Sequence, residues 1–147
     1  MSDRLLFHLA IPITDTETAK AFYAEALGSN VGRESKGAVI FDFYGHQVVG
    51  HVTKEPIEPQ KTLYPRHFGI TFLDEQDWQT TLERAETHEL TFRDRPRLRF
   101  KGKLTEHRTF FLEDPFHNLL EFKWYRNSEA IFGGREITEV GDRPEEK

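Results

Sequence analysis

The chain repeats one plan twice: a short apolar strand holding a single histidine, then a helix start, then an amphipathic helix. Leu5-Leu6-Phe7-His8-Leu9-Ala10-Ile11 is the first instance, and Arg66-His67-Phe68-Gly69-Ile70-Thr71-Phe72 is the second, 59 residues later (67 − 8). Each half also sets a ligand-type residue inside a later apolar strand, His51 in the first and Glu121 in the second. Duplication of this kind constrains the chain to two similar modules, and three histidines with one glutamate in strand interiors raise a metal site shared between them. Burial is the plainer account of any one of them, since a lone strand histidine is more often a hydrogen-bonded core or cleft residue than a ligand.

Residues 5–13 read as a strand, with Leu5, Phe7, Leu9, Ile11 and Ile13 on one face and Leu6, His8, Ala10 and Pro12 on the other. Thr14-Asp15-Thr16-Glu17 fits a capping box with Thr14 as N-cap, and Ala19, Phe22, Tyr23, Ala26 and Leu27 follow at helical spacing up to a stop at Gly28. Strands are expected over 38–44 and 47–53, joined by a tight turn at Gly45-His46. Pro56, Pro59 and Pro65 mark 54–65 as a linker. The second half runs through a strand at 66–73, a helix capped by Asp74 with Trp78, Leu82 and Ala85 on its apolar face, the run Leu90 to Phe92, and a basic irregular stretch. Strands at 107–112 and 118–125 flank an Asp114-Pro115 turn. The ends of the halves align at an offset of 70, Phe41 on Phe111 and His51 on Glu121, so the second half holds about 11 extra residues (70 − 59), assigned to the basic stretch. The modules are then 1–53 and 66–126, and 127–147 is a tail with a helical turn and a mobile acidic end.

Hydrophobic residues make up 37% of the 147 and include 13 Phe, enough for a real core and against global disorder. The formal charge of −5 does not suit a general nucleic-acid binder. With no cysteine, thiolate chemistry and Cys-based metal sites are excluded, so any metal is held by His, carboxylate or other oxygen ligands. No run approaches a membrane span, and the first residues lack the pattern of a signal peptide, so a soluble cytoplasmic protein is expected.

Strand parity tests whether the candidates converge. Glu121, Lys123 and Tyr125 oppose Leu120, Phe122 and Trp124; His67 opposes Phe68, Ile70 and Phe72; His8 opposes its apolar neighbours; His51 lies with Val49 and Thr53. All four sit off the greasier face, and a sheet with helices on one side and a polar concave side would gather them. Neutral imidazole and carboxylate suit Fe(II), Mn(II), Ni(II) or Zn(II), two His with one carboxylate form a facial triad, and His51 as a fourth ligand would move the site toward Lewis-acid chemistry.

These residues resemble the vicinal oxygen chelate superfamily of glyoxalase I, bleomycin-resistance proteins and extradiol dioxygenases. Glu113-Asp114-Pro115-Phe116-His117-Asn118-Leu119-Leu120-Glu121-Phe122 is similar to that family's final turn and strand, Asp-Pro-x-Gly-Asn followed by an apolar pair and the metal-binding Glu. Phe7 to Pro12, and Phe22-Tyr23 through Leu27-Gly28, resemble its first motif, and the likeness covers roughly residues 4–126. It implies an α+β fold of two βαβββ modules, with curved mixed sheets around a metal cleft. It also implies His8, His67 and Glu121 as ligands of a divalent ion, Fe(II) foremost with Zn, Ni or Mn as alternatives. His51 falls where four-ligand members carry a Glu, and His117 replaces the turn glycine. The implied activity is extradiol-type dioxygenation of a small oxygen-chelating substrate, with a glyoxalase-type lyase or isomerase, or a non-enzymatic ligand-binding protein, as alternatives; a homodimer is implied as well.

Other residues have weaker claims. Arg93, Arg95, Arg97, Arg99, Lys101 and Lys103 could form a rim for an anionic substrate, but basic residues that deter edge pairing explain them more simply. His107 could act as a general base or behind a metal ligand, although a strand-end surface position is the commoner case. Tyr125 shares a face with Glu121 and could donate a hydrogen bond to a bound oxyanion; Tyr64 is a weaker candidate. His46 and His117 are expected in exposed turns.

Overall fold

A computed structural model of the protein describes residues 3–138 and 140–141. The expected acidic end of the tail falls outside the described residues. Strand β1 (His8–Ile13) is shorter than the 5–13 run. Leu5, Leu6 and Phe7 precede it at 70%, 65% and 62% exposure. Within β1, Ile11 and Ile13 are buried while His8, Ala10 and Pro12 face out, as parity requires. Asp15, rather than Thr14, is the N-cap of α1 (Thr16–Lys20): its backbone is extended and its carboxylate accepts from the Thr18 amide at 2.7 Å. The helix loosens into a π-helical turn over Ala21–Ala26 that buries Phe22, Tyr23 and Ala26.

Strands β2 (Asn30–Glu34), β3 (Ala38–Phe43) and β4 (His46–Val52) complete a four-stranded sheet in the order β1-β4-β3-β2, with β1 parallel to β4. The β3–β4 turn is Tyr44-Gly45, one residue earlier than expected. Both residues have positive φ (55° and 90°), the pattern of a two-residue type I′ hairpin. The second module repeats the topology. Strand β5 (Phe68–Phe72), helix α2 (Glu75–Thr87, capped by Asp74), β6 (Thr91–Arg99), β7 (His107–Glu113) and β8 (Leu119–Tyr125) build a sheet ordered β5-β8-β7-β6. The fold is thus two βαβββ modules, their sheets not closed on each other. A 3₁₀ turn, Ser128–Ile131, follows. The arginines of the basic stretch are not irregular: they lie in β6, an edge strand with two register shifts against β7, whereas Lys101 and Lys103 fall in the turns that follow it. No helix among the described residues is long and apolar enough to cross a membrane.

One core serves both modules. Ile13, Phe41 and Phe43 of the first sheet join Phe110, Leu120 and Phe122 of the second, with Tyr23 and Trp78 from the helices. Phe43 meets Phe68 at 5.9 Å and Phe122 at 6.3 Å between ring centroids. Burying each such ring contributes about 1.5–3 kcal/mol, so the apolar faces hold together; the other face of the second sheet is itself largely covered, with His107, Thr109 and Phe111 buried. The Asp114 turn locks the same junction. Its carboxylate accepts from the Phe116 and Asn118 amides (2.8 Å each) and from the Tyr23 hydroxyl (2.6 Å). His117 takes the left-handed conformation (φ 67°) that the glycine of the family pattern would adopt freely, and its Nδ1 meets Glu113 at 2.6 Å, so the turn survives the replacement.

Candidate metal centre

His67 and Glu121 come together on the face of the second sheet that points away from the shared core. His67 stands one residue before β5 and Glu121 in the middle of β8. His67 Nε2 lies 3.3 Å from Glu121 Oε1, and its Nδ1 donates to the Leu63 carbonyl at 2.8 Å. That bond fixes the ring so that Nε2 is the atom turned to the carboxylate. Thr109, across the β7–β8 ladder, donates to Glu121 Oε2 at 2.6 Å and holds the other oxygen. Burial is the largest influence on Glu121 and acts to raise its pKa. The bond from His67, the Lys123 charge and the Thr109 bond outweigh it and hold the carboxyl below its ordinary value. The bond to Glu121 likewise raises the His67 imidazole above 6.5, against burial.

The pair fits a metal ion. Two donor atoms each about 2.1 Å from one ion, and at right angles, lie about 3 Å apart, close to the observed separation. The structure stabilises a proton between a nitrogen and an oxygen where a cation would replace it.

Gly69 makes this placement possible, a role the sequence alone does not assign. It pairs with Glu121 in the parallel β5–β8 ladder, and a Cβ there would fall on the Glu121 backbone carbonyl. A glycine inside an apolar strand run was the available signal.

His8 and His51 are elsewhere. His8 opens β1 on the outward face of the first sheet, exposed, with Nδ1 against Gln47 Oε1 at 2.6 Å. Like His67 it therefore leaves Nε2 available. His51 sits opposite Pro12, four residues further along the same strand pair, about 13 Å by strand rise. The register also revises the internal alignment. Superposing His8 on His67 places Ala10 on Gly69; Gly69 pairs with Glu121, whereas Ala10 pairs with Val49. The counterpart of Glu121 is Val49, not His51: the offset between the modules is 71 on the first hairpin strand (Ile40 to Phe111) and 72 on the second (Val49 to Glu121). Among the described residues no group of three His, Cys, Asp or Glu is placed to hold one ion.

His107 is buried at 6% exposure rather than on the surface. Its Nδ1 meets the Thr105 carbonyl at 2.9 Å, its ring lies 4.8 Å from Tyr125, and burial lowers its pKa. The pair closes the far end of the face, four residues from Glu121 along β8, about 13 Å. Tyr64 lies 5.6 Å from His67, ring to ring. His46 accepts from the Phe7 amide at 3.0 Å, and His117 is exposed in its turn. A groove of about 390 Å³ passes His67, Ala10 and Pro12; another of about 910 Å³, lined by Leu9, Phe43, Tyr44, Phe68 and Phe72, lies on the apolar side.

Comparison with known proteins places this geometry in a family. The model of the Glyoxalase/Bleomycin resistance protein/Dioxygenase superfamily matches residues 5–122. A solved glyoxalase/bleomycin resistance protein/dioxygenase from Alicyclobacillus acidocaldarius is 38% identical, covering 86% of this chain and 96% of its own, with a TM-score of 0.81. The fosfomycin resistance protein FosX from Listeria monocytogenes shares the fold at 17% identity, over 88% of this chain and 99% of its own, TM-score 0.67. A structure of FosX complexed with Mn(II) and sulfate is similar at 16% identity over 89% and 97%, TM-score 0.66. No curated protein matches the chain. With its two repeated modules and the match across most of its length, the chain belongs to the glyoxalase/bleomycin resistance protein/dioxygenase superfamily.

Proposed function

We propose that the protein is a divalent-metal-dependent enzyme acting on a small substrate that offers adjacent oxygens, with His8, His67 and Glu121 holding the ion and His8 supplied by a second copy of the chain. The observation that carries this reading is the His67–Glu121 pair, two donor atoms 3.3 Å apart, each backed by a further hydrogen bond. His8, with its Nδ1 tied down in the same way, is a matching third donor. It lies on the other sheet's outward face, and bringing it to Glu121 within one chain would open the shared core. A second copy can present it without that cost, which favours a homodimer.

A bound divalent ion would polarise substrate oxygens as a Lewis acid. Thr109 keeps the Glu121 carboxylate oriented, the Leu63 carbonyl keeps the His67 ring in place, and neutral His107 with Tyr125 contacts the far end of a bound molecule. His107 and Tyr125 are too distant from Glu121 to exchange protons at it. The resemblance of a three-ligand set to ring-opening dioxygenases, with apolar Val49 at the counterpart of Glu121, favours extradiol-type oxygenation with Fe(II) over glyoxalase-type chemistry with Zn or Ni. The FosX structure with Mn(II) and sulfate adds Mn(II) to the ions worth loading.

Metal analysis after loading with Fe(II), Mn(II), Zn(II) or Ni(II) tests the site. Wild type is expected to retain one ion per chain and His67→Ala to lose it; equally little metal in both sinks the reading. Oxygen uptake with catechols, against turnover of a hemithioacetal or of fosfomycin, tests the reaction. Turnover of either of the last two without oxygen uptake overturns the dioxygenase assignment. A ligand-sequestering protein would bind its small molecule equally well with and without metal.

A further inference from the structure

We infer that Lys123 is an oxyanion-binding residue of this site and that the substrate is therefore a small anion. The inference uses the metal-site reading for the position of the ion alone. Lys123 follows Glu121 by two residues on the same face of β8 and stands opposite Thr109 in the ladder. Its ammonium is 3.8 Å from Glu121 Oε1 and 5.4 Å from the centre of the Tyr125 ring, and the side chain is 30% exposed. At 3.8 Å it makes no hydrogen bond to the carboxylate, whose oxygens already engage His67 and Thr109. Three ammonium donors thus face the site, where a bound molecule can take them up. Neighbouring cations of the sheet are committed: Arg97 to Asp94 at 2.9 Å, and Arg93 to Glu113 at 3.3 Å.

Charge decides the preference. Two neutral imidazoles and one carboxylate around a divalent ion leave a net single positive charge, and Lys123 adds another beside it. Like charges this close repel strongly in a partly buried site, and an anion touching both removes the penalty. With the ammonium 3.8 Å from Glu121 Oε1, a small molecule whose carboxylate or phosphate-type group lies next to its metal-binding oxygens can reach both. Lysine serves as a point charge for such groups.

Titration calorimetry of inorganic phosphate and of acetate into the full chain, metal-free and Mn(II)-loaded, tests this. Lys123→Met is expected to weaken anion binding about tenfold, while Lys123→Arg stays within about threefold and Arg95→Met on the edge strand matches wild type. Manganese affinity of Lys123→Met is expected to hold or rise, which shows that the site is still folded. Lys123-dependent binding of either probe supports the inference, and their ratio separates carboxylate from phosphate-type substrates. Equal affinities in wild type and Lys123→Met, or no measurable binding of either probe in either form, overturn it. Failure of wild type to take up Mn(II) sinks the metal reading instead, and the metal-free titration then judges Lys123 by itself.

Discussion

Gly69 and Glu121 show how closely backbone and chemistry are tied in this protein. With no room for a Cβ at Gly69, Gly69→Ala forces β5 away from β8 and carries Glu121 off its bonds to His67 and Thr109. The expected cost is about 2–4 kcal/mol in urea unfolding, with loss of metal retention; a variant with wild-type stability would show that the ladder relaxes freely. His107 gives a prediction in pH. Burial holds its folded pKa below the 6.5 of an unfolded imidazole, so its contribution to stability is present above 6.5 and is lost as pH falls through the folded value. The stability of wild type relative to His107→Phe should therefore fall between pH 8 and pH 5.5. The opposite shift of His67 is present in both proteins and cancels in the difference. At this scale the sequence was informative about faces and poor about distances. Alternation put His8, His67 and Glu121 off the core correctly, because parity is a property of the strand alone. It could not show that Lys123 approaches Glu121, that Thr109 holds it, or that His107 is covered, since those depend on neighbouring strands.

The elements themselves were legible where burial patterned them. Strands β3, β7 and β8 alternate or run apolar, and α2 shows its cap and its stripe of Trp78, Leu82 and Ala85. β2 carries no such pattern, since all five of its residues are exposed and leave no apolar face to read. β6 looked irregular because an edge strand covered on one side carries arginines where a central strand would carry valines, and its register shifts break the alternation. The ungapped internal alignment is two residues out at Glu121, one of them from the longer β7–β8 loop and one from before the hairpin, and only the ladder register exposes the difference. That longer loop is built on Asp114, whose pKa burial raises while its hydrogen bonds resist, and on Tyr23, which burial first and the Asp114 charge next keep protonated as donor. Tyr23→Phe removes a 2.6 Å bond between the modules and leaves a buried carboxylate with one partner fewer. A loss of about 1–2 kcal/mol in denaturant unfolding is expected, without change in secondary structure; an unchanged midpoint would mean the turn is held by its amide bonds alone.

For the whole molecule, the decisive fact is that one core joins the two modules through their apolar faces, which leaves His8 on one sheet and His67 with Glu121 on the other, all of them off that core. A site assembled between copies has a signature that a site within one chain lacks. Consider a dimer of one His8→Ala chain and one Glu121→Gln chain. One of its two sites carries both substitutions, while the other joins the intact His8 of one chain to the intact His67 and Glu121 of its neighbour. Each variant by itself is expected to retain little metal. Unfolding and refolding the two together at equal concentration makes half the dimers mixed, and half the sites in those intact, so metal retention should recover to about a quarter of the wild-type level. Recovery needs exchange of chains, so mixing the folded variants without unfolding should restore metal only as fast as dimers dissociate. If the ligands of each ion came from one chain, every site in the mixture would lack a ligand and co-refolding would restore nothing. That outcome would send His8 back to Glu121 of its own chain and require the modules to separate at the Tyr23–Asp114 junction, which Tyr23→Phe should then make easier.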